Sequence, residues 1–525
     1  MRSSRSLRLR MAEPELIDAL DRADVAPAPV SARATPRSRL VAGLTWATAY
    51  QAFELAATFA AMLITARLIP PGEYGRATAV VAVLAALNTF SFSAFANHAL
   101  QLPEHVDVDW TMHWTAGCYF QSALFIVCEL CACAAWFSPI YRNIALLLHL
   151  AGAGLLFAWP NQVAITMLYR ELNFARLKMI SAICMIAKLT VTIGIALTGH
   201  GALGIVLANS VVSCIPFGFD LVVVRGWRPN AGWWRWPEWR KYVAPARFGL
   251  QRMLGSAIAG VRDALEAAVL PVTLGFGSIG LVSRANALYG TTVGRLEHIV
   301  LDTVYPFLPR ANADAVQYGR RALLLVQAVC FLTLPAAVFI ALEGPGLSRV
   351  LYGQKWIAAD PLILPAAVGG ALVSVVGLLS TVLLASGRTR QSVILDGLAA
   401  AMMAAALTGI ATGRTASSYL WWIAGGQLVS ATAGVALVHE LMPRRWVWRS
   451  IAPSMITSAL AASLLSIVHP AGVPHAGIVH VAAAGFLFTV TVCAALRLLF
   501  GTVLIELFDA LSWRGWPRRL LLLPA

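Results

Sequence analysis

RMLGSAIAGVRDALEAAVLPVTLGFGSIGLVSRANALYGTTVGRLEHIVLDTVYP, residues 252–306, reads as two apolar spans joined by the short turn Gly275-Phe276-Gly277-Ser278. Ionisable residues recur where a bilayer would be. Arg252, Arg262, Asp263 and Glu266 fall in the first span, and Arg284, Arg295, Glu297, His298 and Asp302 in the second. On a helix, Arg284, Thr291, Arg295, His298 and Asp302 follow at steps of seven, four, three and four, which places them on one face. A charge at the bilayer centre costs about 2.5–3.5 kcal/mol even on the lenient insertion scale, so this stripe is expected to face protein or water. The expectation is an all-α polytopic membrane protein in which that face walls a hydrated cavity.

The rest of the chain agrees with a membrane setting. Its 525 residues are 59% hydrophobic and 12% charged, with a mean hydropathy of +0.72. A soluble domain of this size needs far more polar surface. The net charge of +15 comes from short basic clusters between apolar runs, the pattern that orients membrane proteins, and it calls for no nucleic-acid partner. Eight cysteines, most of them inside apolar runs, form no disulfide framework.

Apolar runs of about 20 residues, the length that crosses a bilayer, lie near 41–67, 78–100, 113–136, 144–168, 179–198, 202–224, 248–273, 279–308, 322–342, 361–386, 391–412, 418–440, 449–468 and 476–500. That is about fourteen transmembrane helices, expected as two six-helix lobes plus two C-terminal helices. Residues 1–40 read as a disordered cytoplasmic tail, 41–224 as an N-lobe and 248–440 as a C-lobe. Residues 225–247 form a basic, Trp-rich linker, and 441–525 hold the last two spans and a cytoplasmic C-terminal segment. Alternate connections are rich in Arg and Lys, which puts both termini in the cytoplasm. Two connections break the pattern: Leu102 to Trp110 is acidic, and the stretch before the tenth span holds Arg349 and Lys355. A faint internal repeat supports two lobes, because Ile69 to Gly75 after the first span matches Leu274 to Gly280 after the seventh.

These same residues resemble the polysaccharide-transporter branch of the multidrug/oligosaccharidyl-lipid/polysaccharide exporter superfamily, the Wzx-like flippases. Leu68 to Gly75 resembles the family's first turn. Tyr169-Arg170-Glu171-Leu172-Asn173-Phe174 resembles its Arg-x-Leu-x-Phe segment, and Leu274 to Ala285 its seventh-to-eighth-span turn. Leu351-Tyr352-Gly353-Gln354-Lys355-Trp356 resembles its Gly-x-x-Trp loop, and Leu384-Ala385-Ser386-Gly387-Arg388 its Ala-x-Gly-Arg helix end. The resemblance implies twelve core helices in two lobes, often with two more. It also implies a substrate, a glycan on an undecaprenyl-pyrophosphate carrier, moved from the cytoplasmic to the periplasmic leaflet of a bacterial inner membrane. Membrane lipids, a polysaccharide polymerase and a chain-length regulator are the further partners it implies. The family's acidic residue in the seventh span falls on Glu266, with Asp263 close by.

Sugars and a diphosphate cannot cross hydrocarbon, whereas a polyprenyl tail can stay in it. Forked guanidinium groups suit a diphosphate, so Arg262, Arg284 and Arg295 are the candidate substrate-binding residues. Structural pairing carries equal weight, through Arg262 with Glu266 and Arg295 with Glu297 or Asp302. No phosphate-binding Gly-x-x-x-x-Gly-Lys-[Ser/Thr] loop is present, so an ion gradient or the membrane potential is the expected energy source and no cofactor is expected. Glu54, Asp263, Glu266, His298 and Asp302 are the candidate ion-coupling groups. Lys188 and Glu129 are expected to pair across helices. Cys128-Glu129-Leu130-Cys131-Ala132-Cys133 has no second cysteine pair, so no metal site is expected. Asp107-Val108-Asp109 reads as a solvated loop with no catalytic domain attached. The competing functions are a lipid-linked cell-wall precursor or drug exporter of the same superfamily and, from another class, an integral-membrane glycan polymerase or glycosyltransferase. The transporter reading, without covalent chemistry, leads.

Overall fold

A computed structural model describes residues 36–103, 106–214, 216–236, 238–240, 242–295, 297, 301, 308, 314–413, 415–442, 446–468 and 477–510. Segments 1–35 and 511–525 lie outside them. The described residues are helix and turn throughout, with no strand. In chain order the long helices are α1 (Pro36–Leu68), α2 (Pro71–Thr89), α3 (Trp110–Phe137), α4 (Arg142–Leu156), α5 (Trp159–Arg170), α6 (Phe174–Ala196) and α7 (Gly201–Cys214). They continue with α8 (Val243–Tyr289), α9 (Ala315–Tyr352), α10 (Asp360–Ala385), α11 (Thr389–Gly413), α12 (Ala416–Val438), α13 (Trp446–Val468) and α14 (Ile478–Ala510).

Local chemistry sets the ends of these helices. Prolines lie in the first turns of α2, α5 and α10, where a missing N–H leaves nothing unsatisfied. Asp109 caps α3 by accepting from the Met112 amide at 2.9 Å, so half of the Asp-x-Asp motif is a helix cap. Asn173, Asp314 and Thr415 cap α6, α9 and α12 in the same way.

Among the described residues twelve helices are long and apolar enough to cross a membrane, and thirteen if α4 and α5, bent by 42°, form one span. The chain is a multi-pass membrane protein. The difference from fourteen lies in α8, where Leu265–Gly294 counts as one candidate. The expected seventh and eighth spans run together there, broken at Gly275 with φ +75° and ψ 161°. That left-handed φ favours glycine.

Both exceptions to the loop-charge pattern have local explanations. Arg170 donates to the carbonyls of Ala99, Leu102, Pro103 and Val106 at 2.6, 3.0, 2.8 and 2.7 Å. The acidic connection is therefore wound around a family-motif arginine. Arg349 pairs with Asp360 at 2.6 Å, and Lys355 donates to the Arg67 carbonyl at 2.5 Å, at the negative end of the α1 dipole. Arg170→Ala removes a charged donor from four carbonyls at once, and each such bond is worth about 1.5–3 kcal/mol. The expected result is faster proteolysis within 99–106 in intact membranes, read against wild type.

The core falls into clusters. Two belong to the N-terminal helices, one around Phe92, Trp114, Leu168 and Tyr242 and one around Val80, Ala145 and Val206. One runs through α9, α10 and α12 around Leu325, Leu378 and Val438. α13 and α14 make a small cluster against α9. The fourth large cluster crosses between the halves, joining Met62 and Ala66 of α1 to Leu270, Ile279, Tyr352 and Trp356. The Trp-rich linker is half embedded. Trp227 and Trp233 pack on Trp114 with centroids 5.3 and 5.9 Å away, while Trp234 and Trp236 are exposed.

At the crossing point the two repeated turns touch each other. A Cβ on Gly75 would lie 1.7 Å from the Phe276 carbonyl oxygen and 3.0 Å from the Gly280 nitrogen. A Cβ on Gly280 would lie 2.2 Å from the Pro71 oxygen and 3.1 Å from the Gly75 nitrogen. Gly75 and Gly280 hold equivalent places in the repeat, so the halves meet where the repeat relation maps one onto the other. Backbone lies on backbone with no side chain between.

Candidate functional site

The polar stripe of the opening stretch faces α1. Arg284 donates to the Met62 carbonyl at 3.3 Å and to Thr65 Oγ1 at 2.9 Å. Thr291 Oγ1 lies 3.3 Å from Met62 Sδ, and Arg295 Nη1 lies 3.4 Å from Glu54 Oε1. Residues 284, 291 and 295 thus run beside residues 65, 62 and 54 along one seam between the halves.

The two ends of that seam differ. At the Gly75–Gly280 end it is dry. Arg284 is 2% exposed, with its guanidinium 3.9 Å from the centroid of Tyr74 and 5.4 Å from those of Tyr352 and Trp356. A cation held among ring faces interacts through their quadrupoles. Trp356 donates to the Ala66 carbonyl at 2.7 Å, and Arg67 to the Val350 and Leu351 carbonyls at 2.8 and 3.3 Å. These bonds close the end around α1. Arg284 is therefore part of a packed seal.

Toward the other end the seam opens. The Arg295 side chain is 43% exposed and that of Glu54 25%. Tyr50, one turn before Glu54, faces α6, with Lys178 4.9 Å from its ring centroid. Lys178, Ser181, Cys184 and Lys188 follow at steps of three, three and four on one face of α6. Lys188 has no ion-pair partner among the described residues, and Glu129 pairs instead with His149 at 2.5 Å. Among the described residues, Arg295, Lys178 and Lys188 stand against one carboxylate, Glu54, so the described part of the seam is cationic.

The adjacent face of the α8 second arm lines a cavity of about 720 Å³ with α10, α11 and α12. Its polar lining is Glu266, Asn286, Tyr289, Glu297, Ser374 and Thr381. Glu297 is 7% exposed and accepts from the Ser374 hydroxyl, which lies 2.9 Å from the Tyr289 hydroxyl. Between the two faces the helix makes a π turn at Gly290–Gly294, with Thr291 and Thr292 hydroxyls bonded back to the Ala287 and Leu288 carbonyls. Such bulges are frequent at functional sites.

Of the residues expected from sequence, Glu54 and Arg295 meet each other, Arg284 sits in the seal and Glu266 lines the cavity. The side chains of Arg262 and Asp263, together with His298 and Asp302, lie outside the described residues. Glu297 is the acid that the sequence offered only as a pairing partner. The signal was present, because Asn286, Gly290, Gly294, Glu297 and Leu301 follow at steps of four, four, three and four, as regular as the first stripe.

Comparison with known proteins places the chain. The polysaccharide biosynthesis protein family matches residues 64–361. The lipopolysaccharide biosynthesis protein WzxC of Escherichia coli (strain K12) is 23% identical over 365 residues, which is 67% of this chain and 71% of the relative. Among solved structures, the lipid II flippase MurJ in an inward closed conformation matches with a TM-score of 0.70 at 11% identity. That match covers 86% of this chain and 99% of the other. The Wzx-like reading of the sequence is borne out by the family match, and the all-helical multi-span fold by the MurJ likeness.

Proposed function

Because the chain belongs to the polysaccharide biosynthesis protein family, we propose that it is a flippase for undecaprenyl-pyrophosphate-linked oligosaccharide repeat units. It moves them across the bacterial inner membrane by alternating access, without ATP, in surface or exopolysaccharide biosynthesis. The single observation that supports this reading is the seam between the two halves, where a half-exposed Arg295 pairs with Glu54. A seam of this kind lets a diphosphate sit between α1 and α8 while its polyprenyl tail stays in lipid. The seal at Arg284 lies at the periplasmic end, given cytoplasmic termini, so the conformation is one closed to the periplasm. A polymerase and a chain-length regulator act downstream of it.

Exchange of partners couples transport to an ion. A diphosphate that takes the Arg295 fork displaces Glu54, and a carboxylate stranded in a partly buried seam then needs a proton or a metal cation. Alternation follows if Glu54 is neutral while substrate is bound and ionised when Arg295 returns to it.

The direct test is Arg295→Ala. The expected result is loss of surface polymer with membrane abundance unchanged, and wild-type polymer yield removes Arg295 from the site. In proteoliposomes under an imposed pH gradient, Glu54→Gln is expected to flip at a rate independent of the gradient. Gradient dependence equal to wild type moves coupling away from Glu54.

A further inference from the structure

We propose that Arg284 is a second seat for the diphosphate, offered only when its end of the seam opens, and that the diphosphate opens that end by taking Arg284 from α1. The inference rests on the flippase reading and says how the substrate regulates the gate of the same seam.

The two arginines of the seam are guarded differently. Arg295 pairs with a carboxylate, Glu54. Arg284 is 2% exposed and meets no carboxylate among the described residues. The acids of its end are engaged elsewhere. Glu73 pairs with Arg76 and accepts from the Ala202 amide at 3.1 Å, and Asp360 pairs with Arg349. What holds Arg284 is neutral: the Met62 carbonyl, the Thr65 hydroxyl and the rings of Tyr74, Tyr352 and Trp356. Thr65 Oγ1 gives its own proton to the Ala61 carbonyl at 2.6 Å, which leaves a lone pair for the guanidinium. Arg284 Nε is buried with no hydrogen-bond partner. The rest of the closure also ends on neutral acceptors, since Lys355 and Trp356 donate to the Arg67 and Ala66 carbonyls.

A cation buried in a membrane is held by an anion or by carbonyls, and the second kind of partner is the one a diphosphate can outbid. Its forked, oppositely charged contacts with a guanidinium have no equal in one carbonyl and one hydroxyl. The asymmetry gives the step a direction. A diphosphate that leaves Arg295 returns that arginine to Glu54, and on reaching Arg284 it displaces only neutral groups of α1. The two arginines are eleven positions apart on one arm, about 16 Å at 1.5 Å per residue. In the closed end Met62 and Thr65 occupy the fork, so the diphosphate binds the open end and not the closed one. Such a ligand shifts the population toward the end it binds.

The experiment uses the full chain in proteoliposomes, with a reporter cysteine at Ala66 in a background without native cysteines. The probes are a polyprenyl diphosphate bearing one hexose and a polyprenyl hexoside without phosphate. Labelling by an impermeant thiol reagent is read for each protein relative to its own rate without lipid. The diphosphate probe is expected to raise labelling of the otherwise wild-type protein about tenfold, and the phosphate-free lipid to leave it unchanged. Thr65→Asp gives Arg284 an ionic partner on α1. It is expected to abolish the rise and to slow flipping of the diphosphate probe about tenfold, whereas Thr65→Asn, its uncharged isostere, keeps the rise. Thr65→Val removes the neutral acceptor and is expected to lower the probe concentration for half the rise about threefold, which keeps the test decisive should Thr65→Asp fold poorly. A Thr65→Asp protein that responds and flips as before, or an unshifted midpoint in Thr65→Val, overturns the second seat. So does flipping of the diphosphate probe with no rise in labelling, or an equal rise with the phosphate-free lipid; each of these leaves the flippase standing. A protein with Thr65 intact that neither flips the diphosphate probe nor responds to it overturns the flippase reading itself.

Discussion

Gly75→Ala is expected to remove most of the folded protein from the membrane. The methyl would be built 1.7 Å from the Phe276 carbonyl oxygen and 2.7 Å from its carbon. Those atoms belong to the backbone of the turn that reverses α8, so no rotamer change relieves the clash. Overpacking a core typically costs about 1–3 kcal/mol, and two helix termini forced apart lie at or above the top of that range. Gly280→Ala meets the Pro71 carbonyl oxygen at 2.2 Å and is expected to behave alike. Gly72→Ala is the control, because its Cβ meets nothing within 4 Å and alanine favours a helix. Monodisperse yield and thermal midpoint in detergent measure all three. A Gly75→Ala protein that melts with wild type refutes the close approach.

Arg284→Ala is expected to unseal the same end. The substitution removes hydrogen bonds to Met62 and Thr65 and leaves an empty cage of Tyr74, Tyr352 and Trp356. A desolvated cation–π contact is worth about 2 kcal/mol and a charged hydrogen bond about 1.5–3 kcal/mol. Even with strong non-additivity, about 3 kcal/mol of bias toward the closed end disappears. A reporter cysteine at Ala66, fully buried here, in a background without native cysteines, is expected to resist a membrane-impermeant thiol reagent in wild type and react in Arg284→Ala. Arg284→Lys does not restore protection, because an ammonium cannot bond two groups on α1 and lie flat on a ring as a guanidinium does. Equal protection in all three proteins places the seal elsewhere.

Much of the architecture was legible in the sequence. Apolar run length gave most of the spans, the Gly-Phe-Gly-Ser run gave the turn at Gly275, and periodicity put Arg284, Thr291 and Arg295 on one face without saying which helix that face meets. What periodicity cannot give is depth. Arg284 and Arg295 share a helix face, yet one lies in a dry cage and the other in an open seam, and only the neighbouring helices decide which. Partners were hidden for the same reason. The nearby candidates for Arg295 were Glu297 and Asp302, whereas Glu54, its ion-pair partner, is 241 positions away. Glu129 found His149. Charge counting by loop failed at 102–110 and 349–355 because single arginines and carbonyls satisfy those segments locally.

The bare midline where Gly75 meets Gly280 bears on speed. Surfaces without side chains have no rotamers to search and no polar heads to strip of water, so they part and rejoin as readily as the helices move. In the alternating-access cycle proposed above, the slow element beside them is the caged guanidinium, which would be rehydrated each time that end opens and dried each time it shuts. Turnover would then be tied to the wetting of one arginine, and its tempo could be retuned there without altering what is carried.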